Sequence, residues 1–172
     1  MSFKSLVQIS AAITMATVLS ACARNNPFEV TVSHCPAVSV MGDMGTYTRI
    51  KGDTGLADDI EYTATVLNVR SSCDQGDNVV TDVAFDVSAL AGPAMKDSSV
   101  TVEYFILTLK DNNLLVSKET YKTTLHFDAN GRAVSPQTIT HTIPTVDQAR
   151  RYDYELMIAL KMTPTEVMLN IE

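Results

Sequence analysis

The sequence has few of the residues on which several protein classes depend. Its 172 residues include no Trp, 7 Gly, 6 Pro and 3 Cys, and 13 Lys and Arg are outnumbered by 20 Asp and Glu. The low Gly and Pro content excludes a low-complexity chain, and a hydrophobic content of 45% excludes a disordered one. With a net charge of −7 and no basic block, the chain lacks the clustered cations that contact phosphates, so nucleic acid is not expected as a partner.

Motifs for catalysis and metal binding are also missing. The chain has no Gly-x-Ser-x-Gly elbow, no Gly-rich phosphate loop and no Cys-x-x-Cys pair, and its histidines, His34, His126 and His141, do not have the spacing of a compact metal site. We therefore expect no enzyme and no bound metal. A weak exception is Asp74 and Asp77, which flank a glycine in a loop that could hold Ca²⁺, although a solvated loop is the simpler interpretation.

The N-terminus is the most informative stretch. Lys4 is the only charged residue before Arg24, and the run from Leu6 to Leu19 is apolar or small, with Gln8, Ser10, Thr14 and Thr17 as mild interruptions. One positive charge followed by such a run is typical of a signal peptide, and the run is too short and too polar for a convincing membrane-spanning helix. It ends in Leu19-Ser20-Ala21-Cys22.

This ending resembles the lipobox of bacterial lipoproteins. The resemblance implies that residues 1–21 are a cleaved signal, and that Cys22 becomes the first mature residue and carries a thioether-linked diacylglycerol and an N-acyl chain. Residues 22–27 would then be a lipidated tether, and Ala23, where an Asp would favour the inner membrane, implies the outer membrane. The alternative is an ordinary secretory signal cut near Ala21 or Ala23.

Lipidation of Cys22 would affect which cysteines are available to form a disulfide. If Cys22 carries lipid, Cys35 and Cys73 remain. In an oxidising compartment a disulfide between them is the default, and loop closure of this size is worth about 4 kcal/mol in the chain-entropy model. The alternative is a pair of buried free thiols.

The rest of the chain indicates strand after strand. Residues 79–88 alternate between apolar and polar side chains, which is typical of a half-buried strand, whereas residues 99–110 are apolar on both faces, which suits a central strand. Turn residues separate the segments. The predicted strands are 28–33, 37–41, 46–51, 60–70, 78–88, 99–110, 114–128, 137–143 and 152–162.

About nine short strands predict an all-β fold, a β-sandwich of about 7–9 antiparallel strands that forms a single domain over residues 28–172. The last strand region resembles that of immunoglobulin and fibronectin-III-like domains. In those domains a tyrosine hydroxyl bonds to nearby backbone at a corner, and the resemblance implies that Tyr152 or Tyr154 does so here. The sequence Thr163-Pro164-Thr165-Glu166 has the form of a capping box and predicts a short C-terminal helix. The alternative fold is a closed, ligand-enclosing barrel of lipocalin type.

The mature part also resembles uncharacterised Gram-negative envelope lipoproteins, through Cys35-Pro36, Ile143-Pro144 and residues 160–164. This resemblance implies a sandwich fold and no known activity. The lipobox, the short tether, the small disulfide-braced domain and the missing catalytic motifs lead us to expect a lipid-anchored, non-enzymatic interaction module, with the membrane and an envelope protein as partners. The alternative is a lipoprotein that binds a small molecule, a lipid or a glycan. The row of Thr138, Thr140 and Thr142 is either a docking surface or plain solvent-exposed strand.

Overall fold

The computed structural model describes residues 35–76, 78–111, 113–143 and 154–171, within the unit Ser33–Glu172. The predicted signal, tether and first strand (28–33) lie outside these residues. Short 3-10 turns occur at Gly42–Met44, Lys51–Asp53 and Ala57–Asp59. The strands and the helix are β1 (Ala37–Val40), β2 (Thr46–Ile50), β3 (Ile60–Gln75), β4 (Val79–Ala91), β5 (Ser99–Lys110), β6 (Leu114–His126), β7 (Arg132–Ile143), β8 (Tyr154–Leu160) and α1 (Pro164–Ile171).

The strands form two four-stranded sheets, with the orders β1-β8-β5-β6 and β2-β3-β4-β7. The predicted β-sandwich is confirmed. Within the described ranges no strand ladder joins the two sheets, so the closed barrel is wrong. The expectation of purely antiparallel pairing is wrong at one place, because Ala37–Val40 runs parallel to β8. A hairpin imposes antiparallel pairing, but β1 and β8 are separated by most of the chain and are free of that constraint.

The core lies between the inner faces of the two sheets. The alternation predicted for β4 is confirmed, since Val83, Phe85 and Val87 are buried while Asp82 is exposed. The Phe85 ring meets the edge of the Tyr104 ring from β5, with the ring centroids 5.4 Å apart at 90°. The buried Tyr104 side chain satisfies its hydroxyl by donating to Gln137 Oε1 at 2.8 Å, as an interior tyrosine requires.

Strand β5 is buried on both faces, as its composition predicted. Val102, Tyr104 and Ile106 face the main core, whereas Phe105 and Leu107 form a second cluster on the outer face with Ala159 of β8. The partly buried Met41, Met44 and Met157 pack on this second cluster. A central strand with two apolar faces therefore needs cover on both, and the methionines supply part of it.

Strand β3 is longer than predicted. The predicted strand ends at Arg70, but pairing with β4 continues to Gln75. The register shifts between Leu67 and Arg70, where Asn68 adopts a left-handed backbone with φ of 54° and donates from Nδ2 to Asp86 Oδ2 at 2.8 Å. Asn tolerates this conformation, and a bulge of this kind hides the alternation on which the prediction relied.

The hairpin predicted at residues 128–131 is confirmed between β6 and β7. Asp128 Oδ1 accepts from the backbone N–H groups of Asn130 and Arg132 at 2.8 and 2.9 Å, and these bonds hold the pKa of Asp128 below its usual range. Gly131 takes a positive φ of 71°, which glycine adopts without steric cost.

The two ends of the sandwich differ. At the disulfide end, β3 and β5 finish and β4, β6 and β8 begin, beside the start of the described chain at Cys35. At the helix end, β2 and β8 finish and α1 follows. This polarity determines which residues share a surface: Cys35, Cys73, Val79, Lys110, Leu114 and Tyr154 at the first, and Arg49, Glu103, Lys161 and Glu166 at the second.

Replacing Phe85 by Ala is expected to lower the free energy of unfolding by about 3–5 kcal/mol, because the change leaves a cavity between two packed sheets. The exposed Leu90, on the same strand, is the matched control, and Leu90→Ala should shift stability by no more than about 0.5 kcal/mol. Urea unfolding of both variants measures the difference. Equal losses would contradict the assignment of Phe85 to the core.

Candidate functional site

A surface cleft of about 340 Å³ opens at the helix end. Strands β2 and β5, the segment after β8 and helix α1 together supply its walls. Four of its eight lining side chains are charged, and they come from segments far apart in the sequence. The lining residues are Tyr47, Arg49, Thr101, Glu103, Lys161, Met162, Thr163 and Glu166.

Helix α1 begins with the capping box that the sequence predicted. The Thr163 backbone N–H donates to Glu166 Oε2 at 2.7 Å, and the Glu166 N–H donates to Thr163 Oγ1 at 3.3 Å. Pro164 takes the first helical position, where its missing N–H costs nothing. The reciprocal bonds fix the Glu166 carboxylate at the edge of the cleft.

The other oxygen of that carboxylate meets Arg49 of β2. Arg49 Nε lies 2.5 Å from Glu166 Oε1, and the Glu166 side chain is buried while Arg49 remains partly exposed. The Nε–H group is not aligned on this oxygen, so charge attraction rather than a linear hydrogen bond holds the pair. One carboxylate thus caps the helix and ties it to the edge strand of the second sheet.

Two tyrosines form the floor behind this ion pair. The hydroxyls of Tyr47 and Tyr62 are 2.9 Å apart and buried, and the Arg49 guanidinium lies 6.0 Å from the centre of the Tyr47 ring. Burial and the bond to Tyr62 raise the pKa of Tyr47 far above its usual value. The Tyr47 hydroxyl therefore stays protonated, and the two hydroxyls serve as hydrogen-bond partners for each other.

The opposite wall carries an exposed ion-pair cluster. Glu103 Oε1 lies 2.5 Å from Lys122 Nζ, and Glu103 Oε2 contacts Lys161 Nζ. Hydrogen bonds from the two lysines lower the pKa of Glu103 to about 2. Because the side chains of both lysines are exposed, solvent screens these pairs and their contribution to stability is small.

The cleft therefore contains paired charges rather than a reactive group. Each charged side chain of the cleft lies beside one of opposite charge: Arg49 beside Glu166, and Lys161 beside Glu103. Within the described ranges no nucleophile in the cleft stands beside a base of the kind that activates it. Sequence reasoning found Glu166 through the capping box but missed Arg49, because an ion pair between residues so distant in sequence leaves no local pattern.

The cysteine pair expected from the sequence is present as a disulfide. Cys35 and Cys73 are bonded, with Cα atoms 6.0 Å apart across 38 residues of chain. Cys73 packs against Val79 and Ile143, and Gln75 Nε2 lies 3.1 Å from Cys35 Sγ. The bond fixes the start of the described chain to the end of β3. Cys22 lies outside the described residues, and its lipidation stays a prediction.

The weak calcium candidate gains no support. Asp74 is exposed at the end of β3, and Asp77 lies outside the described residues. In the part of the chain that the structure describes, no group of three or more His, Cys, Asp or Glu side chains could hold a metal ion. His126 is exposed, and His141 is partly buried, which lowers the pKa of its imidazole.

Of the two tyrosines proposed for the corner, the structure describes Tyr154. Tyr152 lies outside the described residues. Tyr154 begins β8, packs beside the Val79–Ile143 cluster, and has Lys110 Nζ 5.8 Å from its ring centre. Its role as a corner stays a prediction.

The outer face of the second sheet presents both polar and apolar side chains to solvent. Thr138, Thr140 and Thr142 are exposed along edge strand β7, and Thr140 donates to Asp82 Oδ1 at 2.6 Å. On the same face a shallow groove of about 460 Å³ crosses β3, β4 and β7. Its exposed apolar side chains are Leu67, Leu90 and Val134.

Comparison with known proteins gave no match: no family model, no curated protein and no solved structure resembles the chain significantly. Among the described residues, no helix has the length and apolar content needed to span a membrane.

Glu166→Gln is expected to lower the free energy of unfolding by about 1–2 kcal/mol, between the values typical of exposed and of buried ion pairs. Glutamine retains an oxygen that can cap Thr163 but loses the charge facing Arg49. The matched control is Glu103→Gln in the exposed cluster, which should change stability much less. Urea unfolding measures both, and a larger loss for Glu103→Gln would contradict this ranking.

Proposed function

We propose that the protein is a lipid-anchored, non-enzymatic module of a Gram-negative cell envelope that works through protein contacts. The observation that carries the proposal is Leu19-Ser20-Ala21-Cys22 at the end of a signal-like run. In this proposal Cys22 bears the diacylglycerol and the N-acyl chain, and the outer membrane is the site of anchoring. Two or more acyl chains anchor a protein stably where one does not.

The described domain supports this proposal in two ways. A disulfide between Cys35 and Cys73 suits a compartment that oxidises thiols. The cleft at the helix end holds paired charges without an activated nucleophile among the described residues, which favours a binding role over catalysis. An immunoglobulin or fibronectin-III-like relationship is part of the same proposal, since those sandwiches commonly serve as interaction modules.

The outer face of the second sheet is the surface that we assign to the protein partner. Leu67, Leu90 and Val134 are exposed there along one groove, beside the threonines of β7. Exposed apolar side chains that are grouped together and bordered by polar residues are typical of interaction sites. The alternative of a small-molecule or glycan ligand would have to use a surface cleft, because buried side chains fill the space between the sheets.

Anchoring is tested by Cys22→Ser in cells that process lipoproteins. The variant should leave the membrane fraction, and the native protein should carry the mass of a diacylglycerol and an acyl chain on residue 22. Ala23→Ser, which preserves the box and its cysteine, is the control and should stay membrane-bound. A native polypeptide that keeps residues 1–21, or that is free of membranes with an unmodified thiol, would contradict the proposal.

The partner surface is tested by crosslinking in cells. We expect a crosslinked complex with another envelope protein for the native chain, and its loss in Val134→Asp, which places a charge in the groove. Leu56→Asp is a matched control, because Leu56 is 61% exposed and Val134 62%, and Leu56 lies outside the groove. Recovery of monomer alone with several crosslinkers, or equal complexes from both variants, would reject this surface.

A further inference from the structure

The hairpin between β5 and β6 exposes three consecutive apolar side chains. Leu114, Leu115 and Val116 are 58%, 52% and 51% exposed, at the start of an edge strand. Leu109 pairs with Leu115 and Thr108 with Ser117, so Val116 is an extra residue in the ladder. This bulge interrupts the inward and outward alternation, and the run is left facing solvent. Such a run on an edge strand is unfavourable unless something covers it.

Lysines flank the apolar run. Lys110 Nζ lies over the Tyr154 ring, and Lys118 Nζ lies 4.3 Å from the centre of the Phe105 ring. With Asp111 in the turn, residues 110–118 carry a net positive charge within a chain of net charge −7. The hairpin therefore combines an apolar tip with cations, the combination that suits the boundary between anionic headgroups and acyl chains.

The β5–β6 hairpin lies at the end of the sandwich from which the chain leads back to Cys22. Leu114 and Lys110 lie at the disulfide end, as do Cys35 and Cys73. The chain that leads back to Cys22 departs from this end, and the thirteen peptide steps between Cys22 and Cys35 span at most about 45 Å when extended. A lipid on Cys22 would therefore keep this end of the sandwich within about 45 Å of the leaflet.

We infer that the β5–β6 hairpin docks into the headgroup region of the anionic leaflet that holds the anchor, an inference that rests on the proposed lipidation of Cys22. Leu114, Leu115 and Val116 enter the acyl boundary while Lys110 and Lys118 stay at the phosphates. The anchor supplies a high effective concentration, so a weak second contact suffices to orient the domain. The helix-end cleft then points away from the membrane.

The absence of Trp from the chain allows a direct test. Leu115→Trp and Leu90→Trp are made in the full-length lipidated protein, because Leu115 is 52% and Leu90 53% exposed, at opposite ends of the sandwich. Each is reconstituted into phosphatidylethanolamine and phosphatidylglycerol vesicles, with or without brominated acyl chains. Vesicle flotation reports the anchor, and tryptophan emission reports the hairpin.

We expect both proteins to float with the vesicles. The tryptophan emission of Leu115→Trp should shift to shorter wavelength when vesicles are present. Brominated acyl chains should quench the emission of Leu115→Trp several-fold more than the emission of Leu90→Trp. Equal quenching of two floating proteins would overturn the docking and leave the anchor intact. A blue shift without bromine quenching would indicate a protein occupant, such as a second copy, and would also overturn it. Failure to float would refute the proposed function, and the inference with it.

If Leu115→Trp fails to keep the disulfide or the melting behaviour of the native protein, Leu114→Trp replaces it, since Leu114 is at the same tip and equally open to solvent. The charge requirement is read from the same assay. Replacing phosphatidylglycerol by phosphatidylcholine should weaken the quenching of the hairpin probe and leave flotation unchanged. Quenching that is unaffected by this exchange would contradict the role given to Lys110 and Lys118.

Discussion

The packing of the two inner sheet faces against each other is the contact on which the other features of this domain depend. It is centred on Phe85 of β4 and Tyr104 of β5, which meet edge to face across the sandwich. Removing these faces from water supplies the main driving force for folding. The cleft, the outer groove and the hairpin are all positioned by strands that this contact holds in register.

The Arg49–Glu166 ion pair joins helix α1 to strand β2 of the sandwich. Helix α1 has eight residues, too few for stability in isolation. Its first turn is fixed by the reciprocal bonds of Thr163 and Glu166, and the same carboxylate meets the guanidinium of β2. The helix is therefore ordered by its cap and by tertiary contact rather than by intrinsic propensity.

The two ends of the domain have different chemistry. One end has a disulfide beside the point where the described chain starts, together with an exposed apolar hairpin and its lysines. The other has a capped helix and paired charges around a cleft. A protein tethered at one end and presenting the other would use this asymmetry, and the inferred docking of the hairpin depends on it.

Much of the fold could be read from periodicity. Alternation in residues 79–88 placed Val83, Phe85 and Val87 inside, and the apolar character of both faces of residues 99–110 identified the central strand. The prediction failed where local geometry breaks the period: at the bulge around Asn68, which hides the second half of β3, and at β1, whose parallel partner is distant in sequence. The same reasoning found Glu166 as a cap but gave no sign of Arg49.

The sequence by itself determined the strand content, the capping box and the hairpin at Asp128, because each depends on residues close together in the chain. Only the tertiary structure decided which strands are neighbours, which charges meet at the helix end, and that Leu114, Leu115 and Val116 stand exposed beside the disulfide. Those features depend on contacts between segments that the chain brings together only when the sheets pack, and no local pattern records them.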